Sequence, residues 1–205
     1  MALIDLKRRE IQAKLVYYGP GRGGKTTNVL QVFKSMSKNV CGKMVTIDTK
    51  GDRTLFFDFL PLSLGKVMDM SIRIQVYTVP GQVVYNDTRR LVLRGVDGVV
   101  FVADSLRIQR QQNIDSLMNL AENLREQQLS IREVPLVMQY NKRDLTASQV
   151  PILTMEEMEH DLNRLLRVPQ FEASALKGVG VYETLREISK QMIRRVTQRL
   201  RSGAS

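Results

Sequence analysis

Apolar and polar positions along this chain follow two rhythms that take turns. Ser71-Ile-Arg-Ile-Gln-Val-Tyr-Thr78 alternates between them, the period-two pattern of a half-buried strand. Gly98-Val-Val-Phe-Val-Ala103 and Val134-Pro-Leu-Val-Met-Gln-Tyr140 are continuous apolar runs, the pattern of strands covered on both faces. Ile11 to Tyr18 reads as a further strand, and so does Thr54 to Leu60, ended by Pro61. Helical spacing is expected near Thr26–Met36, Gln109–Gln128 and Met155–Leu166. A last short strand around Phe171 then leads to a final helix near Val181–Leu200. Lys38 to Arg53 shows no clear period and is expected to be loop.

Strands and helices that alternate in this way predict an α/β sandwich of three layers, a mostly parallel sheet with helices on both faces. The link between Thr54–Leu60 and Ser71–Thr78 is too short for a parallel crossover, so this pair is expected to be the one antiparallel hairpin. No repeat or composition break divides the chain. One domain over residues 1–205 is expected, with 190–205 as a basic helix end and tail.

Composition narrows the setting. At 205 residues, with 43% hydrophobic and 25% charged, the chain has ordinary globular values and enough length for a sizeable core. The single cysteine, Cys41, cannot form an internal disulfide, which favours a reducing cytoplasm. His160 is the only histidine and lies in a polar helical stretch, so it reads as a solvated surface residue rather than a metal or triad member. No apolar run has the length of a membrane span. Of the net charge of +10, Lys190, Arg194, Arg195, Arg199 and Arg201 contribute five, with no acid after Glu187. Ile188, Met192, Ile193, Val196 and Leu200 form a helical stripe that should pack on the sheet. The basic tail leaves room for weak contact with an anionic surface. No motif supports specific reading of nucleic acid.

The chemistry begins at Gly19-Pro-Gly-Arg-Gly-Gly-Lys-Thr26, directly after a strand and before a helix. It fits G-x-x-x-x-G-K-[ST], the loop that cradles phosphates. Gly19, Gly21 and Gly24 let the backbone turn its N–H groups onto a phosphate chain, and Lys25 would reach the β- and γ-phosphates. The Thr26 hydroxyl would bind Mg²⁺, and Thr27 continues the first helical turn toward the nucleotide. Asn141-Lys142-Arg143-Asp144 follows a buried strand and matches N-K-x-D. The Asp144 carboxylate suits two adjacent N–H donors of guanine, which adenine does not present together, so a mismatched base leaves polar groups unpaired. Glu172-Ala-Ser174-Ala175 fits the short element that supports the base from behind.

These residues resemble the Ras-like small GTPases and, more closely, the MglA family of bacterial polarity and gliding-motility GTPases. The closer likeness rests on Tyr17-Tyr-Gly-Pro-Gly21, Asp52-Arg-Thr-Leu-Phe-Phe-Asp-Phe-Leu-Pro61, Thr78-Val-Pro-Gly-Gln82, Val96–Asp104 and Gln139–Asp144. The resemblance implies a P-loop NTPase fold and a switch, on with GTP and off with GDP, at a cell pole in the cytoplasm. It implies that Gly81 donates its N–H to the γ-phosphate and that Gln82 orients the attacking water. Thr54 would close onto Mg²⁺ and phosphate in the GTP state, and Arg53 would stabilise transition-state charge. The partners implied are an MglB-like roadblock-domain dimer that accelerates hydrolysis and a response-regulator or scaffold effector. Thr78 stands where small GTPases carry an aspartate, a departure that would either weaken Mg²⁺ binding or shift the task to another acid such as Asp52 or Asp58. Arg22-Gly23 is the part of the phosphate loop least typical of the family. Two alternatives stand beside this reading: a nucleotide-binding scaffold that does not hydrolyse, motivated by Thr78, and an ATP-using P-loop enzyme.

Overall fold

The structure, a computed structural model, describes residues 2–5, 7–36, 41–42, 45–47, 57–67, 69–82, 85–147 and 150–202. In chain order its elements are β1 (Leu3–Asp5), β2 (Glu10–Tyr18), α1 (Lys25–Ser35), β3 (Val45–Ile47), β4 (Phe57–Val67), β5 (Met70–Thr78) and α2 (Asn86–Leu93). There follow β6 (Gly98–Asp104), α3 (Arg110–Glu126), β7 (Leu136–Asn141), α4 (Met155–Leu162), β8 (Gln170–Glu172) and α5 (Val181–Arg201). The sheet runs β3-β4-β5-β2-β6-β7-β8, with β1 against the first half of β2. β5, β2, β6, β7 and β8 run parallel to one another, and β4–β5 is the expected antiparallel hairpin. The short β1 and β3 add antiparallel pairs with β2 and β4.

Strand alternation splits the apolar residues into two cores. Leu15, Tyr17, Val100, Val102 and Val137 face α1 and α5, where Val29, Val32, Leu185, Ile188, Met192 and Val196 meet them. Val16, Tyr18, Val99, Phe101, Leu136 and Met138 face α2, α3 and α4, against Val92, Leu93, Leu120, Leu124, Met158 and Leu162. Burial on both faces is why β6 and β7 read as unbroken apolar runs. Each fully buried aliphatic side chain contributes roughly 1.5–3 kcal/mol. The stripe on α5 packs on the sheet as its spacing predicts.

Three local readings are corrected. Pro61 does not end its strand, since β4 continues to Val67. Pro61 stands opposite Gln75, and its carbonyl accepts from the Gly42 N–H on the other side at 2.9 Å. The N–H and C=O of a strand residue leave on the same side, so the donor missing from proline falls on the outer edge, away from β5. Within Lys38–Arg53, Val45–Ile47 forms a strand, paired with Phe57–Phe59. A three-residue strand is too short to display alternation. The fourth helix closes at Leu162 rather than Leu166, because the Asn163 side chain turns onto Val168, accepting its N–H at 2.9 Å and donating to its carbonyl at 2.8 Å.

Candidate functional site

The phosphate loop leaves β2 and enters α1 at the carboxyl end of the sheet. Gly24 occupies the N-cap position of α1 with φ 98°, a left-handed conformation that favours glycine. A Cβ there would lie 2.1 Å from the Asn141 side-chain nitrogen, so the position leaves no room for any other residue. Beyond it, the free N–H groups of the first turn of α1 open into a cleft of ≈ 310 Å³. Gly21, Gly24, Lys25, Thr26 and Thr27 line one wall, and Gly81 and Gln82 line the other.

Lys25 lies buried, with Nζ donating to the carbonyls of Gly19 at 3.0 Å and Pro20 at 2.7 Å. No carboxylate meets it among the described residues. Burial pushes its ammonium down to about 7, and the nearby Arg89 cation adds to the shift. Such a group gains from an incoming anion, and a phosphate chain supplies one. Among the described residues no three His, Cys, Asp or Glu side chains group as a metal site. The Thr26 hydroxyl and phosphate oxygens would be donors for a Mg²⁺ here, and they suit this hard cation. Glycine cradle, buried lysine and exposed Thr26 together fit a Mg²⁺-bound nucleoside phosphate.

The second motif is tied to the first. Asn141 closes β7, fully inside, and its Nδ2 donates to the Gly23 carbonyl at 2.8 Å while its Oδ1 accepts from the Ala175 N–H at 2.8 Å. One side chain thus links the phosphate loop to the Ser174–Ala175 element. Lys142 adopts φ 67°, and its Nζ pairs at 2.5 Å with Asp104, a carboxylate buried at the end of β6. The Arg143 N–H bonds the Ala173 carbonyl at 3.0 Å, and Asp144 follows, half-buried. Ser174 and Ala175 are buried behind them.

Gln82 is exposed at the mouth of the cleft, and Gly81 rests on Gly21. Thr78 is buried at the end of β5. Arg53, Thr54 and Asp52 lie outside the described residues, and the side chain of Asp58 does too. Two functional side chains escaped the sequence reading. Asp104 stands as an acid ending an unbroken apolar run, a detectable signal. Arg89 gave none, because α2 itself was not read as a helix.

A family model described as Ras family matches residues 14–194. The chain is also 47% identical over 193 residues to the mutual gliding-motility protein MglA of Myxococcus xanthus, spanning 94% of this chain and 96% of that protein.

Proposed function

The chain belongs to the Ras family of small GTPases and within it to the MglA group, and we propose that it is a slow GTP-hydrolysing switch of cell polarity and motility. Membership carries GTP and GDP binding with Mg²⁺, and GTP hydrolysis in general outline. The finer assignment is ours. One small-GTPase domain spans 1–205. Gly19, Gly21, Gly24, Lys25, Thr26, Thr27, Thr54 and Gly81 hold phosphates. Asn141, Lys142 and Asp144 select guanine, with Ser174 and Ala175 behind the base. Thr26 and Thr54 bind Mg²⁺, which when present spreads the charge developing on the phosphate oxygens. Gln82 orients water, and Arg53 supplies a cation to the transition state.

The observation that carries this reading is the pair of hydrogen bonds at Asn141, donated at 2.8 Å to the Gly23 carbonyl of the phosphate loop and accepted at 2.8 Å from the Ala175 N–H. It couples the phosphate loop to the N-K-x-D segment in one unit, and Asp144 of that segment is the proposed reader of guanine over adenine.

The relative is named for gliding motility, and this chain is proposed to serve the same kind of process from the cytoplasm and a cell pole. No helix among the described residues is long and apolar enough to cross a membrane. A roadblock-domain dimer of the MglB type is the proposed activator, and a response regulator or scaffold the proposed reader of the GTP state. The α5 tail adds weak anionic contact at most.

Competition of GTP and ATP against a fluorescent GDP analogue tests the base. GTP should compete and ATP should not. Single-turnover hydrolysis with and without a roadblock dimer tests the switch. The dimer should accelerate it, and Arg53→Ala should remove about 10³-fold or more of the accelerated rate. An Arg53→Ala protein stimulated like wild type would end the catalytic assignment, and ATP displacing the analogue as well as GTP would end the guanine reading.

A further inference from the structure

Helix α2 carries a charge where its core face should be apolar. Its buried positions are Arg89, Val92 and Leu93, and Arg89 is 0% exposed. A guanidinium remains charged inside proteins and holds five N–H donors in one plane. Here that plane meets acceptors along each edge. Nε donates to the Pro80 carbonyl at 2.9 Å and Nη2 to the Gly81 carbonyl at 2.5 Å. Nη1 donates to Asn119 Oδ1 at 2.7 Å and reaches the Tyr18 hydroxyl at 3.4 Å. The guanidinium carbon also lies 5.0 Å from the centre of the Tyr18 ring.

No carboxylate pairs with Arg89 among the described residues. Burying such a cation is a poor route to stability, since an apolar residue of similar volume usually does as well or better. Its partners show what it holds instead. The carbonyls of Pro80 and Gly81 immediately precede Gln82. On their far side Gly81 packs against the phosphate loop so closely that a Cβ would lie 2.2 Å from Gly21 Cα. The loop is therefore clamped between Gly21 and the guanidinium.

The anchor behind the clamp is itself fixed. Asn119 Oδ1 accepts from the Tyr18 hydroxyl at 2.6 Å, and Asn119 Nδ2 donates to Asn86 Oδ1 at 2.9 Å. Asn123 Nδ2 donates to the same Asn86 oxygen at 2.9 Å and to the Tyr18 hydroxyl at 3.1 Å. This network on α2, α3 and β2 leaves the guanidinium one orientation.

We infer that Arg89 is a positioning residue for hydrolysis: it fixes the Pro80–Gly81 backbone, and through it the aim of the Gly81 N–H and Gln82 at the γ-phosphate. The inference rests on the GTPase reading given above. The guanidinium bonds to Pro80, Gly81, Asn119 and Tyr18, and acts through the loop it holds.

The test is single-turnover hydrolysis of pre-bound GTP, read beside fluorescent GDP affinity and thermal unfolding. Arg89→Lys keeps the charge, but one ammonium cannot bridge two carbonyls and Asn119 in a plane. It should slow hydrolysis about tenfold or more while GDP affinity stays within about threefold, because misplaced reacting groups cost rate before binding. Asn119→Ala, at the far end of the network, should slow hydrolysis about three- to fivefold with the same affinity, and it decides the matter if Arg89→Lys does not fold. A folded variant of either kind with the wild-type rate overturns the inference. So does parallel loss of affinity and rate, which marks a general structural role. Absence of hydrolysis in the wild type would overturn the GTPase reading itself, a distinct result.

Discussion

The two sides of the proposed nucleotide site are built in opposite ways. On the proposed base side, Asn141 is joined by buried bonds to Gly23 and Ala175, and Lys142 pairs with Asp104. On the hydrolysis side, Gln82 is exposed, and the nearest fixed groups are the backbone carbonyls that Arg89 grips. A switch needs this asymmetry. The proposed guanine reader has one task in both nucleotide states, so rigidity serves it. The proposed catalytic groups must respond to one phosphate and to a partner, so their positions are held through a loop.

The largest effect should come from breaking the rigid side. Asp144→Asn replaces the proposed acceptor for two guanine N–H groups by an amide that satisfies one and opposes the other. Guanine affinity should fall about 10²–10⁴-fold, the scale on which sites with mismatched polar groups reject ligands. Xanthine nucleotides should bind the variant instead. Competition between GDP and xanthosine diphosphate for a fluorescent analogue reads both changes. Unchanged preference for GDP would mean that this side does not read the base.

Gln82→Leu strikes the other side and should leave binding alone. Loss of one group aimed at the transition state costs about 10²–10³-fold in rate in well-studied sites. Partner-stimulated hydrolysis should drop on that scale, with GDP affinity within about twofold because Gln82 has no part in the base network. A joint fall in rate and affinity would erase the contrast between the two sides.

The contrast also explains which parts were legible in the sequence. The base side and phosphate loop are short contiguous motifs, Gly19–Thr26 and Asn141–Asp144, attached to strands whose apolar patterns are strong. Their spacing alone places them at one end of a parallel sheet, and the β4–β5 hairpin follows from link length. The hydrolysis side depends on contacts remote in sequence. Arg89 sits at the first of three buried positions of α2, so the stripe Arg89, Val92, Leu93 is too polar to signal a core-facing helix. Its partners Pro80, Asn119 and Tyr18 are joined only by the fold. Asp104 ends the Val96–Asp104 motif, but its bond to Lys142 joins neighbouring strand ends that only the fold brings together.

Lys25 lies on the phosphate loop between these two sides, and its chemistry sharpens the comparison in a third way. The base side gives it no counter-charge, and the Arg89 cation behind the hydrolysis loop opposes its own. Burial first and Arg89 second hold its ammonium down at about 7, whereas phosphates in the cleft would raise it. A group whose pKa is raised on binding draws in a proton, so affinity is at its plateau below the free-protein value and falls as pH rises through it. GDP affinity should be nearly flat between about pH 6 and 6.5 and lose roughly fivefold between pH 7 and 8. Titration of a fluorescent GDP analogue across that range measures it. Lys25→Arg, which stays charged throughout, should bind more weakly but with a flat profile, since a guanidinium does not titrate there. A wild-type profile as flat as that of Lys25→Arg would mean that Lys25 is already charged in the free protein, its ammonium held by the Gly19 and Pro20 carbonyls.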